Sequence, residues 1–252
     1  MNIPTQTMKQ EESSRRRAAR LDYLLDILEI QLQEKTFAKC RLEDVVAACE
    51  FSLMTVYKLL ISRDTAIFML ATRTLKRWCD LMDIAIKSDL MPRYILLSTN
   101  VSHYIITNTY PMGTACLFSS NTFRYEALVN EDILKAFDNE IARAIKCLET
   151  IVSLGIKSTD LKLDCGLNAN DIATNIWSGL YGTMVLNLNN TDQTPARIHS
   201  YKLIVRRQLD DLNWKPLSSE INYDEESKNI INTLYAEEFK KIPIKQAPTY
   251  LN

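Results

Sequence analysis

The stretch from Phe37 to Asp64, FAKCRLEDVVAACEFSLMTVYKLLISRD, admits few folds. Leu42, Val45, Val46 and Cys49 are spaced so that all four share one face of a short helix. Ser52 stands where an N-cap belongs, and Thr55, Val56 and Tyr57 follow inside a second short helix. Two short helices joined by a tight turn make a helix-turn-helix, whose second helix is of the kind that enters a DNA major groove.

The rest of the chain also reads as helix. With 5 Gly and 7 Pro in 252 residues there are too few turn formers for many strands, so the expected class is all-α. Residues 1–14 are polar and read as a disordered tail. A first helix opens on Arg15, Arg16, Arg17 and Arg20 and carries Leu21, Leu24, Leu25, Leu28 and Leu32 on one stripe. It should pack on the two short helices as a three-helix unit over 15–61. A helix from Ser62 to Lys87 has no internal Gly or Pro and can act as a rigid strut. Beyond it the pattern predicts a helix over 93–109, a turn at Tyr110-Pro111-Met112-Gly113, and a long helix over 124–155 ended by Gly155. A loop over 158–168 and helices over 171–188 and 195–213 complete a body spanning 62–214. A polar extension, 215–252, holds one helix from Asp224 to Phe239.

Several classes of function are disfavoured. No glycine-rich phosphate loop, nucleophile elbow or H-E-x-x-H pattern is present, so neither an enzyme nor a cofactor is expected. No metal site is expected, because the two histidines, His103 and His199, are far apart. The six cysteines form no C-x-x-C pair and read as reduced thiols of a cytoplasmic protein. The N-terminus is polar and then basic, without an apolar signal segment. No run approaches the ~18 apolar residues of a membrane span, so no membrane partner is expected. The net charge is −1, so any nucleic-acid contact must use a local patch. Residues 15–63 hold nine basic and seven acidic side chains, a weak footprint.

The order Phe37, Leu42, Val45, Ala48, Phe51, Ser52, Thr55, Tyr57, Ser62, Arg63 resembles the DNA-binding domain of the TetR (tetracycline-repressor-like) family, without a gap from Phe37 to Asp64. The resemblance implies a transcriptional regulator, a repressor by expectation. Its N-terminal helices would bind double-stranded operator DNA, and its C-terminal helices would bind a small-molecule effector and form a homodimer. It places Thr55, Tyr57 and Arg63 on phosphates and Leu53, Met54 and Lys58 toward bases or the groove wall. Arg15, Arg16 and Arg17 would lie on the backbone or minor groove, and Ser52 and Arg41 join the expected DNA set. The effector pocket would draw on His103, Tyr104, Phe118, Phe123, Tyr125, Trp177 and Tyr181, although core packing explains most of these equally well. The dimer interface would use Ile176, Gly179, Leu180, Met184, Tyr201 and Val205.

Two departures keep a second reading open. Glu50 stands where the family has Gly, which implies a strained positive φ and a negative charge near DNA. Met54 replaces a small residue. A dimer with a degenerate DNA head, acting through protein or small-molecule binding, is the alternative.

Overall fold

The computed structural model describes residues 6–122, 129–163, 166–188, 207, 209–217 and 220–242, with backbone alone at 6–9, 121 and 184–188. Helices α1 (Gln6–Lys35), α2 (Leu42–Ala48) and α3 (Leu53–Leu60) precede the strut α4 (Arg63–Ile86). Then come α5 (Pro92–Thr109), α6 (Pro111–Thr122), α7 (Glu131–Lys157), α8 (Ala169–Leu188), α9 (Tyr223–Leu234) and the single turn α10 (Ala236–Phe239). Among the described residues the one β feature is an antiparallel bridge between Leu161 and Trp214. No helix among them is long and apolar enough to cross a membrane.

Helix α1 begins earlier than its polar sequence suggests. Residues 6–14, read as a disordered tail, are helical, and side chains 10–20 are exposed. Runs of Gln, Glu and Arg are good helix formers, so α1 extends without needing a face to bury. Its apolar stripe starts where the fold does: Leu24, Leu25, Leu28 and Leu32 are buried against α2, α3 and α4.

Helix α4 is the axis of the molecule, packed on α5, α6 and α7. Asp80 and Asp83 on α4 are bridged by Arg143 of α7, at 2.8 and 2.5 Å. The sequence pattern missed α6. Pro111 sits at its N-terminal end, where a fixed φ costs nothing, so the expected turn is only the joint at Tyr110. Gly113 lets α6 come close, since a Cβ there would lie 2.1 Å from Thr74 Oγ1. Gly155 does not end α7, which continues to Lys157. Its role is close approach as well: a Cβ would meet the Trp214 ring at 3.0 Å. The expected helix over 195–213 falls largely outside the described residues. The C-terminal helix is broken at Tyr235, and this extension is packed rather than free, with Ile230, Ile231 and Tyr235 buried. Cys40, Cys79, Cys116 and Cys147 are free and buried, and burial pushes all four thiols up, Cys147 to about 11.

One polar cluster joins α1, α4 and α6. Arg73 of α4 meets Asp22 (3.5 Å), Asp26 (2.7 Å) and Glu29 (3.4 Å) on α1. Glu29 Oε1 also accepts from the Gly113 backbone N–H at 3.0 Å. Desolvation outweighs these favourable partners and raises the Glu29 pKa above its ordinary value. A carboxyl raised by folding holds its proton more tightly in the native state. Its contribution to stability is therefore full below the ordinary glutamate pKa and is lost as pH rises through the folded value. Glu29→Gln keeps the acceptor for Gly113 and removes the charge. Its melting temperature relative to wild type should be higher at pH 7.5 than at pH 4.5 by calorimetry. An equal difference at both values would remove Glu29 from this account.

Candidate nucleic-acid interface and effector site

The α2–α3 pair is set by caps and by its contacts with α1. Asp44 Oδ2 accepts from the Arg41 backbone N–H at 2.8 Å, and its Oδ1 accepts from Lys35 at 2.5 Å. Those two partners, Lys35 first, hold the Asp44 carboxyl below its usual range. Ser52 caps α3 as its type and position predict, its Oγ accepting from Thr55 N–H at 3.3 Å. Val45 and Val56 are buried between the helices, and Phe51 in the turn packs edge-on against Tyr23 of α1 at 5.6 Å. Arg20 lies over the same ring at 5.8 Å.

What remains outside is the surface that would face DNA. Leu53 and Met54 are 56% and 80% exposed, and Lys58 is exposed beside them. Arg15, Arg16, Arg17 and Arg41 are exposed too, with Arg16 paired to Glu12. Two expected phosphate ligands are drawn elsewhere. The Tyr57 hydroxyl donates to Glu43 Oε1 at 2.7 Å, which holds the Glu43 carboxyl below its usual range and raises the Tyr57 pKa. Arg63 is turned into the fold: Nε donates to the Cys40 carbonyl at 2.9 Å, another guanidinium nitrogen donates to the Phe37 carbonyl, and the group stacks over the Phe37 ring. Two carbonyls in the α1–α2 linker draw it inward, so in the single chain Arg63 braces α4 to that linker. Spacing along one helix could not reveal either partner, because both come from other segments.

Helix α3 is locked to the strut. Ile61 ends α3 with φ 64 and ψ −66, and the Ser62 N–H donates to the Leu60 carbonyl at 2.7 Å, closing a γ-turn around Ile61. Ser62 Oγ then accepts from Thr65 N–H at 3.1 Å and caps α4. A two-residue joint thus transmits the direction of α4 to α3. The strain expected at Glu50 is absent, since Glu50 does not take a positive φ. Thr36 does, at 70°, and so does Ile61, at 64°.

The expected effector residues separate into packed core and periphery. His103 and Trp177 are buried on either side of Trp78, edge-on at 5.2 Å and stacked at 5.6 Å respectively. Burial pushes the His103 pKa down to about 3, so it is neutral at physiological pH. Phe118 and Tyr181 are half-buried with rings 5.8 Å apart, and the Tyr181 hydroxyl donates to the Phe118 carbonyl at 3.3 Å. Tyr104 is half-buried on α5. Phe123, Tyr125, Tyr201 and Val205 lie outside the described residues, as does the Met184 side chain. Ile176 and Leu180, expected at a dimer interface, are 3% and 0% exposed within the single chain. An amphipathic helix satisfies its own core first, so the outward face of α8 is the opposite one: Thr174, Asn175, Ser178 and Gly182, with Gly179 at its edge.

Solved structures share this arrangement of helices. A TetR-family regulator from Agrobacterium tumefaciens superposes with a TM-score of 0.59 at 13% identity, over 78% of this chain and 99% of its own. PfmR, a TetR-family regulator from Thermus thermophilus, gives 0.56 at 13%, over 73% and 97%. The regulator FadR from Bacillus subtilis, solved in complex with stearoyl-CoA, gives 0.56 at 14%, over 74% and 96%. The chain therefore has the all-α fold of TetR-family regulators, and about a quarter of it lies outside what these structures match. No protein-family model and no curated protein matches the sequence.

Backbone strain gives a test of the head. A non-glycine residue at positive φ costs about 1–3 kcal/mol, while glycine's extra freedom in the unfolded chain costs about 0.4–1 kcal/mol. Thr36→Gly and Ile61→Gly should each raise stability by about 1 kcal/mol in urea titrations, and Glu50→Gly should lower it. A gain at Glu50 with losses at the other two would reverse the assignment of strain.

Proposed function

We propose that this chain is a homodimeric transcriptional regulator that binds operator DNA through α2 and α3 and is controlled by a small molecule in the α4–α8 body. The observation that carries the reading is the serine-capped α3, its outer residues unburied, joined through Ile61 and Ser62 to a strut that runs into the aromatic cluster. In this reading residues 15–61 are the reading head and the body from residue 62 senses and dimerises. A tilt of α4 would move α3 with it and change the spacing between the two heads of a dimer, which sets affinity for paired half-sites. Repression is the expected outcome, since an occupied operator obstructs transcription.

Contacts at the head would divide by chemistry. Thr55, the α3 N-terminus and the arginines at 15–17 suit phosphates, whereas Leu53 and Met54 suit thymine methyl groups. Tyr57 would join them only by leaving Glu43.

Specific observations favour a second reading, in which the head docks on a protein. Leu53, Met54 and Ile61 together expose apolar surface, and Glu43 and Glu50 add negative charge beside it. Selection of double-stranded oligonucleotides from a random pool separates the two. Enrichment of a sequence with two-fold symmetry supports the regulator, and no enrichment at any salt concentration favours the protein-docking head.

On a selected operator, Lys58→Ala should reduce the slope of log affinity against log salt by about one unit per subunit. Glu50→Gln should strengthen binding, most at low salt where repulsion is least screened. Unchanged binding in both variants would remove α3 from the interface.

Dimerisation through the outer face of α8 has its own test. A Cβ at Gly182 meets nothing within 4 Å in the single chain, so Gly182→Glu should leave the fold intact. In sedimentation equilibrium it should convert dimers to monomers. Dimers of undiminished stability would place the interface elsewhere.

A further inference from the structure

Tyr235 reaches from the C-terminal extension into the centre of the molecule, and it is 1% exposed. Its hydroxyl donates to the Leu81 carbonyl of α4 at 3.1 Å. The same hydroxyl lies close to Ser98 and Ser102, one turn apart on α5. Ser102 Oγ in turn accepts from Trp78 Nε1 at 3.1 Å, and Trp78 meets His103 edge-on and stacks on Trp177. A single serine therefore connects the phenol of Tyr235 to the aromatic cluster of the body.

The chemistry of this slot is narrow. Ser98 and Ser102 donate back to the α5 carbonyls of Ile95 and Thr99, at 2.6 and 2.9 Å, and can turn toward a guest oxygen. Leu81 supplies an acceptor from the opposite wall. Among the described residues no charged side chain is one of the polar groups that meet the Tyr235 hydroxyl, and burial pushes its pKa up to about 12. The guest must therefore be neutral, with a flat apolar body and one O–H that both donates and accepts. The segment carrying the present guest has few fully buried anchors. Across 223–242 the buried apolar side chains are Ile230, Ile231, Tyr235 and Ile242, and helices as short as α9 and α10 are marginal by themselves.

We propose that residues 223–239 are a tethered ligand, with Tyr235 filling a phenol slot between α4 and α5, and that neutral phenolic molecules act on the protein by competing for that slot. Naming this effector class rests on the regulator reading; the slot itself does not. Displacing the tether would uncover Ser98 and Ser102 and remove the phenol from the serine that accepts from Trp78, at the level of α4 where it meets α5.

The experiment uses the full chain and 4-methylphenol as the probe. Tyr235→Ala should bind 4-methylphenol saturably by calorimetry, and at least tenfold more tightly than wild type, whose own tyrosine competes. It should bind 4-methylanisole, which lacks the O–H, at least tenfold more weakly than 4-methylphenol. Equal binding by wild type, or no preference for the free hydroxyl, overturns the slot. If Tyr235→Ala does not fold, Tyr235→Phe decides: amides of 223–239 should exchange at least tenfold faster than in wild type while those of α5 do not. Unchanged exchange overturns the anchoring role. With a selected operator, adding 4-methylphenol to Tyr235→Ala should shift DNA affinity at least threefold; no shift with the probe bound overturns the effector assignment. If no form of the protein binds DNA, the regulator reading fails while probe binding still decides the slot.

Discussion

Helix α4 can move only as a rigid rod, because thirteen of its 24 residues are buried. Phe68, Leu75, Trp78 and Met82 face α5, α6 and α7, and a rod packed on three sides cannot bend without opening cavities that cost several kcal/mol each. Everything attached to α4 inherits its position. At one end Ser62 fuses it to α3, and at the other Leu81 and Trp78 meet α5 and the C-terminal extension. The strut is thus the common frame of α3 and the aromatic cluster, which is what the proposed coupling between them needs. A coupling free energy requires an element whose position both sites bias.

Polar groups around the strut decide which contacts are adjustable. Arg73 is surrounded by three α1 carboxylates, of which Asp22 and Asp26 are well exposed and Glu29 is not. Exposed pairs contribute little, because water competes for both partners. Glu29 is different, since it also closes the N-terminal turn of α6, and losing its partners would leave a partly buried charge uncompensated. The head is therefore braced to the body at a point where one carboxyl balances desolvation against two neighbouring helices. Helix α5 shows the complementary case. It is buried along nearly its whole length yet carries Ser98, Thr99, Asn100, Ser102, His103 and Thr107. Hydroxyls returning to α5 carbonyls satisfy Ser98, Thr99, Ser102 and Thr107, and the Tyr235 phenol lies beside Ser98 and Ser102.

The helix-turn-helix was legible because its signals are local. A stripe recurring every three or four residues, Ser52 before Leu53 and Ser62 before Arg63 each report on a backbone within one turn. The same logic placed α4, α5 and α8 within a residue or two. It failed where the deciding partner is remote. Gly155 resembles a helix stop until Trp214 is found against it, and no spacing reveals that Arg63 meets the carbonyls of Phe37 and Cys40. Leu180 resembles an interface residue because periodicity identifies an apolar face without saying what covers it.

By itself the sequence determined which segments are helical, where the caps lie, and that two short helices meet in a tight turn, since these depend on side chains acting on their own backbone. Only the tertiary structure decided which apolar faces were already covered, which cations were already engaged, where the backbone carries strain, and that a polar-looking extension sends a tyrosine into the core. Those outcomes depend on contacts between residues far apart in the chain. Tyr235 meets the carbonyl of Leu81 across 154 positions, and no local pattern encodes that distance.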